Sequence, residues 1–248
     1  MVQIREKRGT TIAPVWYDHA MYYIIDLVPE KFFGPGDEVT IPSCVKAGDY
    51  EFEIACIVTK QAMPTTREEA LKFFKEHCLL TIVNDWSARD IQKKDMEGLG
   101  PANSKFVIGK SFGPKLVPAS SFKMDENGVI DMEMILRVNG QERSRSNYQT
   151  IYHKHPKTGE KQAWSFPRVM EWLGQQNIAV QPGYIIGSGT IGDGCIAEFS
   201  AKLDPKTGAE LQPATYPWLK DGDVITMEAA GIGVLENKVR VKEYAAVK

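Results

Sequence analysis

The sequence predicts a strand-dominated α+β fold that forms one large domain. Segments with the alternating pattern of β-strands outnumber those with helical periodicity, and the two kinds do not follow each other in regular alternation. This pattern disfavours a doubly wound parallel sheet. Apolar residues make up 43% of the 248 residues and charged residues 25%, as in globular proteins. Proline and glycine are spread along the chain rather than gathered in a linker, which argues against two separate domains.

The first half of the chain is predicted to contain three strands and two helices. The longer helix, over residues 65–77, has apolar residues at helical spacing and begins with Pro64 and a capping box of Thr65 and Glu68. A shorter helix over residues 87–94 follows the third strand. The predicted strands cover residues 38–45, 49–58 and 79–83.

The second half is predicted to be mostly β-structure with one further helix. The dipeptide Asn139-Gly140 follows an alternating apolar segment and predicts a tight β-hairpin. The helix is expected to begin at Ser165, to have Pro167 in its first turn and to end at Gly174. The predicted strands cover residues 130–138, 184–187, 196–202, 224–229 and 233–241.

Charge and cysteine content exclude several classes of function. Lys and Arg total 30 against 32 Asp and Glu, a net charge of −2, and no basic run occurs, so we expect no nucleic-acid and no membrane partner. The four cysteines are isolated in sequence and form no metal-binding C-x-x-C pair. The first ten residues include a run of charged side chains, and no apolar stretch reaches the length of a membrane span. We therefore expect a cytoplasmic protein.

Two glycine-containing motifs resemble nucleotide sites only superficially. The spacing Gly187, Gly189, Gly192 matches G-x-G-x-x-G, but another β-like run follows it instead of the required helix. Glycines that allow a tight turn or a close backbone approach explain this motif better. The tripeptide after Ile108 resembles the end of a phosphate-binding loop, but Ser104 stands where that loop needs its first glycine.

Two carboxylates share one face of the strand predicted over residues 49–58. Side chains alternate across a strand, so Glu51 and Glu53 point to the same side, about 7 Å apart by strand rise. They repel each other unless they are solvated, protonated or bridged by a cation, and carboxylate oxygens suit Mg²⁺, Mn²⁺ or Ca²⁺. Spacing alone favours a solvated edge face over a metal site.

A third carboxylate ends the next predicted strand. Asp85 is followed by Arg89 at a spacing of four residues and by Gln92 at seven. One interpretation is a weak Asp85–Arg89 ion pair on a helix face. The other is a third metal ligand beside an arginine and an amide that bind an anionic, carbonyl-rich substrate. Periodicity does not choose between them.

The string Asn84-Asp-Trp-Ser-Ala-Arg-Asp-Ile-Gln92, with Ile108-Gly-Lys-Ser-Phe-Gly113 after it, resembles the signature of the fumarylacetoacetate hydrolase family. The resemblance extends from about residue 15 to the end of the chain. It implies a mixed β-sandwich roll and a homodimer, and it assigns a divalent cation, Mg²⁺ before Mn²⁺ or Ca²⁺, to Glu51, Glu53 and Asp85. Further matching segments are residues 49–53, 187–190, 216–223 and 231–237.

The resemblance also implies roles for individual residues. Lys110 matches the active-site lysine of the family, and Arg89 and Gln92 match the pair that orients the substrate. Thr190 matches the threonine that binds a substrate carboxylate or carbonyl. His19 is similar to the histidine that activates water. These are the residues expected to carry the reaction.

The chain departs from the family at several positions. Ile12 stands where the longer members have an additional metal-binding aspartate, and Tyr22 where the shorter ones pair the histidine with a glutamate. Glu198 aligns with a glutamate that positions the histidine in longer members. An insertion over residues 97–105 is expected to form a lid or rim that reshapes the substrate pocket.

The remaining histidines match no motif. His77 closes the first long helix, where a core or capping role is expected. His153 and His155 lie among lysines and are predicted to belong to a surface loop.

The leading functional hypothesis is a metal-dependent hydrolase that cleaves a C–C bond in a small 1,3-dicarbonyl or acylpyruvate-type 2-oxo acid. The alternatives are an oxaloacetate decarboxylase, a 2-oxo-heptenedioate isomerase or decarboxylase of aromatic catabolism, and an inactive metal-binding scaffold. In every case except the inactive scaffold, the substrate is a small 2-oxo or diketo acid. We divide the chain into a short N-terminal segment, residues 1–35, as a candidate lid, and a catalytic domain over residues 36–248.

Overall fold

Two five-stranded sheets organise the computed structural model, which describes residues 12–98, 100–200, 202–203 and 210–243. Neighbouring strands are antiparallel except for one parallel pair at the edge of each sheet. The first sheet contains, in spatial order, β1 (Phe32–Phe33), β7 (Lys110–Pro118), β5 (Cys78–Asp85), β4 (Phe52–Val58) and β12 (Ile185–Gly187). The second contains β2 (Glu38–Pro42), β16 (Gly233–Lys242), β15 (Val224–Ala229), β8 (Glu133–Val138) and β9 (Gln141–Asn147).

Short strand pairs and helices complete the described fold. The predicted strand-dominated α+β class with mixed sheets is confirmed, and no helix of the described residues is long and apolar enough to cross a membrane. The strand pairs are β3 (Gly48–Asp49) with β6 (Ser87–Ala88), β10 (Tyr152–Lys154) with β11 (Lys161–Ala163), and β13 (Lys202–Leu203) with β14 (Glu210–Gln212). The helices are α1 (Val15–Asp18), α2 (Arg67–His77), α3 (Arg89–Asp95), α4 (Ala102–Phe106) and α5 (Phe166–Gln175).

The capping box of α2 lies one residue later than the sequence predicts. Thr66 is the N-cap, and its hydroxyl accepts a hydrogen bond from the backbone N–H of Glu69 at 3.3 Å. The carboxylate of Glu69 in turn accepts from the N–H groups of Thr66 and Thr65, at 3.3 and 2.9 Å. The predicted Thr65–Glu68 box has the same spacing, so the pattern alone does not fix its register.

The C-terminal end of α5 corrects the role predicted for Gly174. This glycine lies inside the last turn, where an added Cβ would come within 1.9 Å of the carbonyl oxygen of Pro64. It is therefore required by close packing against the segment before α2. The left-handed residue beyond the helix is Asn177, with a φ of 62°. At the other end, the hydroxyl of Ser165 donates to the carbonyl of Asn127 and does not cap the helix.

The strand predicted over residues 196–202 is wrong. Residues Ile196–Phe199 form a 3₁₀-helix, because the buried carboxylate of Asp49 accepts hydrogen bonds from the N–H groups of Ile196 and Ala197, at 2.8 and 3.0 Å. A strand would direct successive N–H groups to opposite sides. The apolar pattern correctly indicates that this segment is buried, but it does not determine the backbone conformation.

The second sheet forms an apolar core as its sequence pattern predicts. Along β15, Ile225, Met227 and Ala229 are buried and alternate with half-buried residues. The β8–β9 hairpin turns through Asn139 and Gly140, which have φ values of 52° and 76°. This turn confirms the hairpin that the dipeptide predicts.

The register of the first sheet brings several strand ends together. Phe52 at the start of β4 pairs with Asn84 near the end of β5, and Asp85 at that end pairs with Lys110 at the start of β7. The start of β4, the end of β5 and the start of β7 are distant in sequence, and this pairing therefore brings them together at one edge of the sheet, the edge formed by these strand ends. This edge carries the polar site.

Candidate metal centre and active site

Three buried carboxylates converge at this edge of the first sheet. Each of Glu51, Glu53 and Asp85 contributes an oxygen atom, and these oxygens lie within 4.8 Å of one another. The residues expose only 8%, 5% and 5% of their surface. The solvated edge face that spacing alone favoured for the two glutamates is therefore wrong. We call the three residues the carboxylate triad.

Local backbone contacts place the triad. Glu51 immediately precedes β4, and Asp85 is the last residue of β5. The N–H of Glu51 donates to the side-chain carbonyl of Asn84 at 3.1 Å, and the N–H of Asp85 donates to the carbonyl of Glu51 at 3.0 Å. These bonds join the two strand ends and fix the direction of both carboxylates.

Three cationic side chains contact the triad. Lys105 Nζ lies 2.7 Å from Glu51 Oε2 and 3.1 Å from Asp85 Oδ2. Lys110 Nζ contacts Asp85 Oδ1 and donates to the backbone carbonyl of Lys105 at 2.7 Å. Arg89 Nη1 lies 2.7 Å from Glu51 Oε1. Glu51 and Asp85 are thus held in a dense, buried ionic network, whereas, within the described residues, none of these cations contacts Glu53.

Arg89 joins the triad to the buried carboxylate of Asp49. Its Nε donates to Asp49 Oδ2 at 2.8 Å, and its Nη1 donates to the side-chain oxygen of Gln92 at 2.8 Å. The structure brings Arg89 and Gln92 together on α3, next to the triad. It shows no helical pair between Arg89 and Asp85, because Asp85 belongs to β5 and not to a helix.

The environments of the two glutamates shift their pKa values in opposite directions. Burial works to raise the pKa of Glu51, but Lys105 and Arg89 outweigh it and hold this pKa below its ordinary value. Burial, together with the charges of Asp85 and Glu51, raises the pKa of Glu53 well above its ordinary value. Glu53 is therefore the member of the triad whose charge is least compensated.

A glycine-rich loop closes one side of the site. An added Cβ on Gly187 would come within 2.8 Å of Glu53 Oε2, and the N–H of Gly189 donates to the same oxygen at 3.0 Å. The hydroxyl of Thr190 hydrogen-bonds to Glu51. The motif therefore serves a close backbone approach to carboxylates. It opens no α-helix, since the next element is the short 3₁₀-helix Ile196–Phe199, so the nucleotide interpretation fails.

Sequence reasoning missed two residues of the site. Tyr23, from the N-terminal segment, donates its hydroxyl to Asp85 Oδ2 at 2.6 Å. Burial and the charge of Asp85 raise the pKa of this hydroxyl far above its ordinary value, so it stays protonated. Lys105 comes from the segment between α3 and β7. No pattern distinguishes this lysine from the exposed ones, although its place shortly before Lys110 is a signal that could have drawn notice.

The structure does not bring His19 and Glu198 to the triad in the described part of the chain. His19 is exposed, and its ring centroid lies 4.9 Å from that of Trp172 on α5. Glu198 is buried and accepts a hydrogen bond from the N–H of Asp193 at 3.0 Å.

The surface loop predicted for His153 and His155 is wrong. Both histidines are buried, and they lie on and beside β10 under α1. The His153 ring centroid lies 4.6 Å from that of Trp16, and His155 Nε2 lies 3.5 Å from Asp18. The neighbouring lysines suggested exposure, but aromatic residues distant in sequence cover the imidazoles.

The triad fits a divalent cation. It offers only hard oxygen ligands, which Mg²⁺, Mn²⁺ and Ca²⁺ prefer, and their separation suits a single ion bound to all three. Glu53 receives one backbone hydrogen bond and is contacted by neither lysine among the described contacts. Burial and the charges of Asp85 and Glu51 raise its pKa, and a cation beside this carboxylate would offset them. The donor set and its electrostatics therefore agree with a metal centre.

Comparison with known proteins identifies the family. The model of the fumarylacetoacetate (FAA) hydrolase C-terminal domain matches residues 18–240. The chain belongs to the fumarylacetoacetate hydrolase family. The match includes the triad, both lysines and Thr190, so every residue of the site described above lies within the family's domain.

Relatives in the family have different activities by name. The chain is 26% identical over 235 residues to the fumarylacetoacetase of Arabidopsis thaliana, covering 79% of this chain and 48% of that protein. It is 28% identical over 198 residues to the oxaloacetate tautomerase YisK of Bacillus subtilis, covering 77% of this chain and 52% of that protein. The chain thus spans about half the length of these two relatives.

The fold agrees with solved structures of the family. The fumarylpyruvate hydrolase of Pseudomonas aeruginosa, solved with Mn²⁺ and pyruvate, superposes with a TM-score of 0.60. The two chains are 21% identical, and the match covers 85% of this chain and 74% of that one. At this identity the likeness establishes the fold.

Proposed function

We propose that this protein is a metal-dependent enzyme that stabilises the enolate of a small 2-oxo acid and interconverts its keto and enol forms. Oxaloacetate is the simplest acid of this class, and one relative is named for this reaction. The observation that supports the proposal best is the convergence of cations and carboxylates at the triad, while the histidine expected to activate water lies elsewhere. Tautomerisation needs no activated water.

Arg89 is placed to bind the substrate carboxylate. Its Nη2 is buried and has no hydrogen-bond partner among the described residues, so the guanidinium keeps one donor for an anion. Gln92 holds the orientation of Arg89 through its 2.8 Å hydrogen bond. The hydroxyl of Thr190 donates to Glu51, and we propose that it turns to a substrate carbonyl or carboxylate oxygen when substrate binds.

Lys110 is placed to stabilise the negative charge that forms on the enolate oxygen. Its side chain is buried against Asp85, where an ammonium group interacts more strongly than in water. The tautomerisation moves one proton from carbon to oxygen, and no atom is gained or lost. Lys110, Lys105 and Tyr23 are the proton-bearing groups that face Asp85. A divalent cation on the triad would supply Lewis-acid stabilisation of the same charge.

Hydrolytic cleavage of a C–C bond in a 1,3-dicarbonyl acid is the second candidate. It needs the same enolate stabilisation, because the departing fragment leaves as an enolate. The observation that favours it is that the segment bearing His19 already reaches the site, since Tyr23 hydrogen-bonds to Asp85. In this case His19, oriented by a carboxylate such as Glu198, takes the proton of the attacking water. Decarboxylation and 2-oxo-heptenedioate isomerisation need neither His19 nor Glu198, because no water attacks in these reactions.

A substrate panel with matched variants tests the proposal. The purified protein is assayed with Mg²⁺ or Mn²⁺ for ketonisation of enol-oxaloacetate, and for cleavage of an acylpyruvate and of fumarylacetoacetate. We expect metal-dependent ketonisation that Lys110→Met lowers by about 10²–10³-fold in kcat. Lys115→Met, which removes an exposed lysine from the same strand, serves as the control.

The panel also separates the alternatives. His19→Ala leaves ketonisation unchanged but abolishes hydrolysis if hydrolysis is the reaction. Turnover that survives both chelation and Lys110→Met contradicts the proposed site. Metal binding without turnover of any substrate favours an inactive scaffold over an enzyme.

Assembly and location are proposals of the same kind. We propose a homodimer in the cytoplasm, with residues 12–31 of each chain acting as a lid over the site. Exposed apolar side chains in this segment support an interface or a closure, because Met21 and Ile24 expose 61% and 84% of their surface. Sedimentation equilibrium that gives the mass of one chain would contradict the dimer.

A further inference from the structure

Lys105 reaches the carboxylate triad from the segment between α3 and β7. It lies on α4, and only 3% of its surface is exposed. Buried lysines are rare unless they are paired, because removing an ammonium group from water is costly. The position of this side chain therefore calls for a specific partner or a specific role.

The ammonium group of Lys105 has an oxygen partner for each of its three N–H donors. Nζ lies 2.6 Å from Ser87 Oγ, 2.7 Å from Glu51 Oε2 and 3.1 Å from Asp85 Oδ2. Two of these three oxygens belong to the triad. Lys105 is thus a cation held by ligands that a metal ion would also use.

We propose that Lys105 is an internal counter-ion that competes with the divalent cation for Glu51 and Asp85, and that metal binding displaces its ammonium group. This inference rests on the metal dependence of the proposed function. A divalent ion and an ammonium group bound to the same two carboxylates would repel each other strongly in a buried site. One of them must withdraw when the other binds.

The charges around the triad support the competition. Four carboxylates face three cationic side chains, so the network carries a formal charge of −1 and attracts a metal only weakly. Without Lys105 the same network would carry −2 and would have two carboxylates without a full counter-charge. The carboxylates are Asp49, Glu51, Glu53 and Asp85, and the cations are Arg89, Lys105 and Lys110.

The surrounding contacts allow the ammonium group to leave while its backbone stays in place. The N–H of Ser104 donates to Asp95 at 2.8 Å, and the carbonyl of Lys105 accepts from Lys110 Nζ at 2.7 Å. Neither bond involves the Lys105 side chain, whose four-carbon stem is flexible. Displacement therefore needs rotation of one side chain and leaves Lys110 in position.

The test compares wild-type protein with Lys105→Met, Lys105→Arg and the exposed-lysine control Lys115→Met. Mn²⁺ affinity is measured by titration calorimetry, and Tm is measured with Mn²⁺ and with a chelator. We expect Lys105→Met to bind Mn²⁺ about tenfold or more tightly than wild type, because no cation must be displaced. Lys105→Arg keeps the charge and should bind Mn²⁺ no more tightly than wild type.

Stability without metal gives the second readout. Mn²⁺ should raise the Tm of wild-type protein only slightly above its value in chelator, because Lys105 already compensates the carboxylates when the metal is absent. Lys105→Met should lose several degrees of Tm in chelator and recover them with Mn²⁺. Each kcal/mol of lost stability lowers Tm by about 4–8 °C in a small domain and by less in a chain of this length. If this variant unfolds fully on chelation and refolds with Mn²⁺, the result supports the proposal in its strongest form.

Three outcomes overturn the inference. Equal or weaker Mn²⁺ binding by Lys105→Met shows that Lys105 does not compete with the metal. If Lys105→Met binds Mn²⁺ as tightly as wild type and also has a raised KM for substrate, Lys105 instead binds substrate. A variant that stays unfolded with Mn²⁺ shows that the metal does not replace the lysine. If the affinities shift as expected but no substrate is turned over, the proposed reaction fails and the counter-ion assignment stands.

Discussion

The two five-stranded sheets bury different kinds of side chain. In the second sheet, Ile225 and Met227 alternate with half-buried residues, and the strands that flank β15 contribute Leu136 and Leu235 to the same core. At one edge of the first sheet, the buried side chains are carboxylates, lysines and an arginine. One region gains stability from burial, whereas in the other burial works against the charged groups and must be offset by ion pairs.

The difference supports the proposal that the first sheet carries the chemistry. Buried apolar residues need no explanation beyond packing, but buried ion networks are often neutral or unfavourable for stability compared with apolar residues of the same size. Perturbed pKa values, such as the raised one of Glu53, concentrate at functional sites. In the proposed function, the strand ends of the first sheet carry the reaction and the second sheet serves as scaffold. Substitutions in each region should affect different measurements.

The largest effect is expected for the triad itself. Asp85→Asn removes the charge that contacts Lys105, Lys110 and the hydroxyl of Tyr23. We expect Mn²⁺ affinity to fall by at least about 100-fold, since even residues behind the ligands commonly contribute 10–100-fold. Calorimetric titration measures the affinity, and circular dichroism shows whether the fold is kept.

The control for Asp85→Asn is Glu228→Gln, which removes one carboxylate charge from the exposed side of the second sheet. Glu228 pairs with Arg137 at 2.9 Å and lies on β15. Its loss should leave Mn²⁺ affinity unchanged. If both variants lose affinity equally, the general charge of the protein determines binding, and the contrast between the two sheets fails.

The second prediction concerns the scaffold. Met227 is 1% exposed and pairs across the sheet with Leu235 and Leu136. Met227→Ala should lower the free energy of unfolding by about 2–4 kcal/mol, through lost transfer energy and the remaining cavity. Denaturant unfolding measures this loss, and Mn²⁺ affinity of the folded variant should be unchanged.

The control for Met227→Ala is its neighbour Thr226, on the other face of β15. Its hydroxyl donates to Glu236 at the surface at 2.9 Å. Thr226→Ala should change the free energy of unfolding by no more than about 0.5 kcal/mol. A reduced metal affinity in folded Met227→Ala would contradict the separation of scaffold and site.

The same contrast explains how much of the structure could be predicted from the sequence. The second sheet and its Asn139-Gly140 hairpin follow from alternation and turn chemistry, which are local signals. The strand predicted over residues 196–202 fails because Asp49, far away in sequence, captures two N–H groups of that segment. Local patterns report burial well, but they do not report which distant group satisfies a backbone donor.

The site was predictable only in part for the same physical reason. The triad residues Glu51, Glu53 and Asp85 are brought together by the register of β4 with β5, as the family resemblance implies. Lys105 and Tyr23 come from segments whose patterns carry no signal of burial. An ionic network is specified by long-range geometry, and a single sequence contains no alternating or helical period that encodes it.

The smallest effect is expected where the N-terminal segment meets the site. The hydroxyl of Tyr23 donates to Asp85 at 2.6 Å, while 39% of the residue stays exposed. Tyr23→Phe removes this bond and keeps the ring, so the segment should open more readily by about 1.5–3 kcal/mol, the contribution of a hydrogen bond to a charged group. Hydrogen exchange of residues 12–31 should accelerate, while exchange along β15 stays unchanged.

Because Lys105 and Lys110 still contact Asp85, Mn²⁺ affinity should change less than in Asp85→Asn. Tyr22→Phe, on the exposed neighbour, is the matched control, and equal acceleration in both variants would show that Tyr23 does not anchor the segment to the triad.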